Sequence, residues 1–367
     1  MDIGSAMKTD VMTAKEIIAL RLLNQFISHS PAKTAREAVL QLCAMQGQDY
    51  AGTKWSIGLR VPGLTDEAVD DALAAKEIIR ISSLRGTIHF IAPEDVRWIG
   101  RLIQPRMISA FASVFKSYGL DETQIRKSHD VIRKTLEGGK QLSRDELKAA
   151  LEKKKIDTSG HRMNSFISRA GTDLVICCAP RRGKEFTYAL LDEWLPVDKK
   201  ANNEETLSTL ALRYLSGHGP ATVQDFAYWC GETLTAAKAA ILALGNEVEK
   251  ITAGGKEYWM KPVTASPPST PGMLLLPGFD EYYTGYADRS LLAREAELKK
   301  LTPPNGILQP IVVNNGKIKG NWKRTVKKNT LQLEAIPFTS FSDTQKKAMT
   351  KRSKDFSRFM GLPVEWI

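Results

Sequence analysis

The chain has 367 residues, 43% apolar and 25% charged, and its 52 Lys and Arg against 41 Asp and Glu give a net charge of +11. This composition excludes a disulfide-stapled miniprotein, a collagen and a disordered tail, and leaves room for about two to four domains with their own cores. No run of ~18 apolar residues suggests a membrane span, Met1–Asp10 lacks an apolar signal core, and the scattered Cys43, Cys177, Cys178 and Cys230 read as reduced thiols, so a cytoplasmic location is expected.

One pattern recurs three times along the chain: helical segments, then two short strands joined by a tight turn. Thr13, with Glu16 three residues on, forms an N-cap for the apolar spacing Ile17, Leu20, Leu23. Helices over about 35–45 and 66–75 follow, then strands at 78–82 and 87–91 turned at Leu84-Arg85-Gly86. The second unit predicts helices at 122–136, 143–154 and 161–170, the middle one opened by the capping box Ser143-Arg144-Asp145-Glu146. Its strands, 174–178 and 185–190, turn at Arg181-Arg182-Gly183. The third predicts helices at 204–216, 222–230 and 234–244, and strands 248–252 and 256–260 on a Gly254-Gly255 hairpin turn.

Three helices and a hairpin are the layout of a winged helix, a helix-turn-helix variant with a β wing. The expected class is therefore α+β, with tandem winged helices at 11–94, 95–198 and 199–263. Three unrelated modules are the alternative; the matching order and the three Gly-bearing turns favour repetition. A Pro/Ser/Thr linker over 264–271 leads to a β-rich module at 272–367. There, Asn314-Asn315-Gly316 turns a hairpin between 311–313 and 317–319, 330–336 alternates as a strand, and 343–360 forms a closing helix docked through Ala348, Phe356 and Phe359.

The charge is uneven. Residues 299–367 hold 14 Lys and Arg but 4 acids, a balance of +10, so the first 298 residues are nearly neutral. Such a block attracts polyanions, although a solvated surface would show the same balance.

Most cofactor chemistry lacks its signature. There is no P-loop, no G-x-G-x-x-G after a strand, no H-E-x-x-H, no G-x-S-x-G and no zinc spacing among the five His and four Cys. No cofactor and no metal are expected. Four clusters remain. In Gln46-Gly47-Gln48, Gly47 fits a helix C-cap; an extended chain beyond it would let two carboxamides face one groove, and an ordinary capped helix end is the alternative. In Leu84–Phe90, Arg85 on a hairpin tip suits a phosphate, and His89 faces away from Ile88 and Phe90, as a core histidine also would. In Leu276–Tyr283, Asp280 and Tyr282 precede Arg289, and Asp280 with Arg289 forms either a site or a buried structural pair. In Gly320–Arg324, Trp322 with Lys323 and Arg324 combines a stacking ring with two cations, or is simply a surface strand.

These landmarks, with Leu42–Asp49, Gly219–Gly231 and Ile311–Thr325, make the chain resemble the winged-helix family of bacterial DNA glycosylases typified by AlkZ and YcaQ. The resemblance spans most of the chain in the family's order. It implies three winged helices and a C-terminal β domain arranged as a C-shaped cleft for duplex DNA. It also implies monofunctional excision of bulky or N7-alkylated purines, including interstrand crosslinks. The family's Gln-hydrophobic-Gln motif falls on Gln46-Gly47-Gln48, with Gly47 at the hydrophobic position. Gln46 and Gln48 are thus the expected catalytic residues. Arg85, His89, Arg181, Arg182, Tyr282, Trp322, Lys323 and Arg324 are the expected DNA contacts. A nucleoid-associated bacterial monomer is expected, and a non-catalytic DNA-binding regulator or lesion sensor is the alternative function.

Overall fold

The computed structural model describes residues 11–196, 206–263, 269–303 and 306–367. Residues 1–10, in which no signal core was expected, the start of the helix at 204 and most of the linker lie outside the described residues.

The first unit opens with α1 (Ala14–Asn24), closed at its N-terminus by the Thr13–Glu16 capping box. Helix α2 (Ala35–Leu42) stops earlier than its apolar pattern suggests, because Cys43 adopts φ 65° and the chain turns into a short strand β1 (Ala44–Gln46). Gly47 is therefore no helix cap; it follows a strand. Asp49 then caps α3 (Tyr50–Arg60), a helix that the sequence pattern did not suggest. Its glycines explain both the weak signal and the fit: a Cβ on Gly58 would sit 2.5 Å from the Phe359 ring. Helix α4 (Asp66–Ala74) leads to β2 (Ile79–Ser82), a single 3-10 turn over Leu84–Gly86, and β3 (Ile88–Ile91).

The second unit adds α5 (Pro93–Ser117), also unforeseen, and then α6 (Glu122–Leu136), β4 (Leu142–Ser143), α7 (Arg144–Lys153), α8 (Arg162–Thr172), β5 (Ile176–Arg182), β6 (Glu185–Leu190) and α9 (Leu191–Trp194). The third holds α10 (Leu207–His218), α11 (Val223–Cys230), α12 (Leu234–Leu242), β7 (Glu249–Ala253) and β8 (Lys256–Met260). The C-terminal module comprises β9 (Met273–Leu276), α13 (Glu281–Thr284), α14 (Glu295–Leu298), β10 (Ile311–Asn314), β11 (Lys317–Val326), β12 (Leu331–Pro337), α15 (Asp343–Met360) and β13 (Val364–Trp366). The mixture is α+β.

The three hairpins form, although the second turns at Gly183-Lys184, with Arg181 and Arg182 still in β5, and the first two do not stand apart. They join through Arg80 opposite Cys178 into a six-stranded sheet, ordered β1-β3-β2-β5-β6-β4. The third stays a two-stranded ribbon, and β9–β13 form a separate five-stranded sheet. The largest apolar core draws Ile79 and Ile91 from the first unit, Ile99 and Cys177 from the second, Tyr214 and Trp229 from the third, and Tyr286 from the last. A second core packs Trp55 against Phe356 and Phe359, fastening α15 onto the first unit. Elements from all four segments thus meet around β1. Among the described residues, no helix is long and apolar enough to cross a membrane.

Candidate active site

Strand β1 is short, but its last residue is held on every side. Gln46 lies opposite His89 of β3. Its backbone N–H donates to Glu281 Oε1 at 2.8 Å, and its carbonyl accepts from Thr53 Oγ1 at 2.8 Å. Gly47 continues the pairing by donating to the Ile88 carbonyl at 2.6 Å, while its own oxygen accepts from Arg80 Nη2 at 3.2 Å. A Cβ at position 47 would stand 2.9 Å from the Phe90 ring, so the space of a hydrophobic side chain is already filled by that ring. Gln48 comes next and is exposed; no hydrogen bond from its side chain is seen among the described residues.

The turn between β2 and β3 carries Arg85 in the left-handed region, at φ 56°. This conformation sends the guanidinium across to α11, where Nη1 donates to the Trp229 carbonyl and Nη2 to Gln46 Oε1 at 3.2 Å. The cation also lies 5.2 Å from the centre of the Tyr228 ring. The two residues that sequence spacing placed 39 apart therefore touch.

Behind them lies a buried charged cluster. Glu281 Oε2 accepts from Trp229 Nε1 at 3.2 Å and faces His218 Nε2 at 3.3 Å. Burial alone would raise the Glu281 carboxyl, but the His218 hydrogen bond and charge and the Gln46 N–H outweigh it and hold the group below its ordinary value. His89 is fully buried, with Nδ1 against the Thr87 carbonyl at 3.1 Å and Nε2 without a partner among the described residues. Burial, and then the nearby Arg85 charge, push it down to about 4, so at neutral pH the ring is uncharged.

On the other flank, Tyr50 and Phe186 meet edge to face at 5.3 Å. Arg80 lies 4.5 Å from Phe186, and Arg181 lies 4.8 Å from Tyr50. Arg181 is exposed and has no ion pair among the described residues, unlike Arg182, whose Nη2 is bound by Glu146 at 3.1 Å.

The family model described as DNA glycosylase AlkZ-like matches residues 39–359. The chain belongs to the AlkZ-like DNA glycosylase family. It is also similar to a Streptomyces sahachiroi protein named "Interstrand DNA cross-link repair glycosylase", at 25% identity over 95% of this chain and 98% of that one. Among solved structures it resembles the Streptomyces sahachiroi DNA glycosylase AlkZ, with a TM-score of 0.80 and 22% identity over 97% of this chain and 100% of the other. That likeness establishes a shared fold.

Several expected contacts sit elsewhere than on a surface. Trp322 is buried against Phe356, and its indole donates to the Leu276 carbonyl at 2.8 Å, so it cannot stack on a base in this conformation. Tyr282 is sealed too, donating to the Gly316 carbonyl at 2.7 Å. His89 is internal. Lys323 is exposed and Arg324 half-exposed over Phe356, and neither contacts Gln46 or Arg85. The pair expected between Asp280 and Arg289 does not form. Asp280 is clamped by Arg60, with Nη1 to Oδ2 at 2.8 Å and Nη2 to Oδ1 at 3.0 Å, both side chains fully buried. Arg289 instead donates to the Tyr283 carbonyl and the Tyr228 hydroxyl. The Arg60 partner was hidden because α3 itself was not legible. Glu281 stood beside Asp280 in the string that sequence reading singled out, but nothing in that string separates a buried anchor from a solvated acid.

Proposed function

We propose that this chain is a monofunctional DNA glycosylase that removes bulky or N7-alkylated purines from duplex DNA, interstrand crosslinks among them. The observation that carries the reading is the Gln46–Gly47–Gln48 segment, in which one carboxamide oxygen is fixed by Arg85 and the next glutamine is exposed beside it. In this reading the helix-plus-hairpin segments at 11–94, 95–198 and 199–263 are winged helices that line a C-shaped cleft with the module at 272–367. Arg181, Arg182, Lys323 and Arg324 then grip the phosphate backbone. The protein acts as a monomer near the nucleoid.

The chemistry asks little of the protein. An N7-alkylated purine is cationic and leaves neutral, taking the electron pair of the C1′–N9 bond. Water adds to C1′ and loses its proton to solvent. No general acid is needed; the task is to place the water and favour an oxocarbenium-like sugar. Gln46 is buried and its Oε1 is held by Arg85, so Gln48, exposed and without a hydrogen-bond partner among the described residues, is the residue to accept from that water. Glycine at position 47 does not slacken the segment, because Phe90 fills the missing side chain's volume and both Gly47 backbone groups are bonded.

The test is excision from duplexes carrying N7-methylguanine or an interstrand crosslink, read as alkali-labile abasic sites. The protein should form product, and Gln48→Ala should slow single-turnover excision about 100-fold with duplex affinity retained. No product from either duplex at stoichiometric protein would overturn the reading in favour of a non-catalytic DNA-binding protein.

A further inference from the structure

The buried carboxylate behind Gln46 has no role in the chemistry above, yet it is among the most constrained groups in the molecule. Glu281 is 1% exposed and cannot touch substrate. Its Oε1 accepts from the Gln46 N–H, and its Oε2 serves Trp229 of α11 and His218 of α10. Its backbone carbonyl accepts from Gln25 Nε2, at the end of α1. A desolvated carboxylate persists only where donors compensate it, and here the donors come from three different elements, β1, α10 and α11. One of them is the peptide N–H of a proposed catalytic residue.

We propose that Glu281 is a positioning residue for base excision: it fixes the Gln46 peptide against α10 and α11, so that the Gln46 carboxamide meets Arg85 and the segment through Gln48 is held at its working distance from the lesion. This rests on the glycosylase reading above. The reach is the point of the device. One carboxylate spans β1 on one oxygen and α10 and α11 on the other, so Asp, shorter by one methylene, cannot satisfy both sides. Gln keeps the length, and its carbonyl can still accept from the Gln46 N–H. Its amide then meets the Trp229 indole N–H, which is a donor only, so Gln keeps the β1 side of the anchor and gives up the bond to α11.

The experiment compares the full-length protein with its Glu281→Asp and Glu281→Gln variants on an N7-methylguanine duplex. It reads single-turnover excision, duplex Kd, thermal midpoint and the exchange rate of the Gln46 amide proton in the free protein. Positioning predicts that Glu281→Asp exchanges the Gln46 proton at least about tenfold faster and excises about 100-fold more slowly, with Kd within about twofold; displacing a group by ~1 Å has that order of effect. Glu281→Gln, which keeps the acceptor for the Gln46 N–H, should exchange that proton and excise at rates between those of Glu281→Asp and the parent. A Glu281→Asp protein that is folded and excises at the parent rate overturns the proposal. So does a loss of rate in both variants that merely tracks the folded fraction. If the parent excises nothing while Gln48→Ala still binds DNA, the glycosylase reading has failed; unchanged Gln46 exchange in Glu281→Asp would then overturn the anchoring separately.

Discussion

Around β1, the charged groups Arg60, Asp280 and Glu281 are buried and each has fixed partners. Across the C-terminal module, Lys323, Lys347, Lys351 and Lys354 are exposed and make no ion pair among the described residues. The first region spends its charge on holding a segment of chain still. The second leaves its charge free for an outside polyanion, and packs through Trp322 and Phe356 instead, the latter also seated against Trp55 of the first unit. Net charge per segment, +10 at one end and close to neutral over the rest, describes only the second kind of use.

The sharpest way to break this comparison is to remove one member of the most buried pair. Asp280 accepts from both Arg60 nitrogens, from Ser56 Oγ at 2.6 Å and from the Tyr282 N–H at 2.9 Å. Burial would raise its carboxyl, but the Arg60 charge and these hydrogen bonds hold it below the ordinary value. Asp280→Asn leaves the Arg60 guanidinium buried without a counter-charge, a change that costs about 3–5 kcal/mol. Denaturant unfolding should show it as a large fall in midpoint. A loss below about 1 kcal/mol would mean that this pair behaves like a surface one.

The two regions also differed in how far the sequence revealed them. The α15 span, 343–360, and the third hairpin's β8, 256–260, were legible to the residue, because Ser342, Asp343 and Gly361 mark the helix ends and Gly254-Gly255 marks the turn. Helix α3 was not, because Gly52 and Gly58 weaken its pattern; Gly58 is explained only by the Phe359 ring that approaches it, and Gly52 makes room for the Asp49 side chain that caps the helix, with Pro277 beyond. The site shares this property. Gln46, Gln48 and Arg85 stand out as residue types in a sequence string. The Arg85–Gln46 contact depends on a positive φ at a non-glycine residue, and the Glu281–Gln46 bond joins positions 235 apart. Neither local spacing nor composition encodes such contacts. Trp322 failed in the other direction: an aromatic between cations looks the same whether its ring points outward or into a core, and strand alternation sends Trp322 in and Lys323 out.

A smaller effect comes from pH. His89 is held at about 4, below its ordinary value of 6.5. Between those values the unfolded chain binds a proton that the folded protein refuses. The stabilisation is therefore complete above about pH 6.5 and is lost as pH falls toward 4, by about 2 kcal/mol at pH 5. Urea unfolding near pH 7.5 and pH 5 should show this loss, and His89→Gln should flatten the dependence by that amount. An equal slope in both proteins would mean that His89 charges freely in the folded state, contrary to its burial beside Arg85.

The smallest effect belongs to the exposed region and separates two neighbours on one strand. On the proposed reading Lys323 faces a DNA phosphate, so its removal releases one fewer counterion on binding. Lys323→Ala should lower the slope of log affinity against log salt by about 0.9, roughly a threefold difference accumulated between 50 and 200 mM salt. Trp322→Phe, by contrast, deletes a buried N–H that serves the Leu276 carbonyl. It should lower the unfolding midpoint and leave the salt slope unchanged. Fluorescence anisotropy on one duplex at several salt concentrations measures both slopes. If the two variants moved the slope alike, the alternation of inward and outward side chains along β11 would not be what divides structural from DNA-facing residues there.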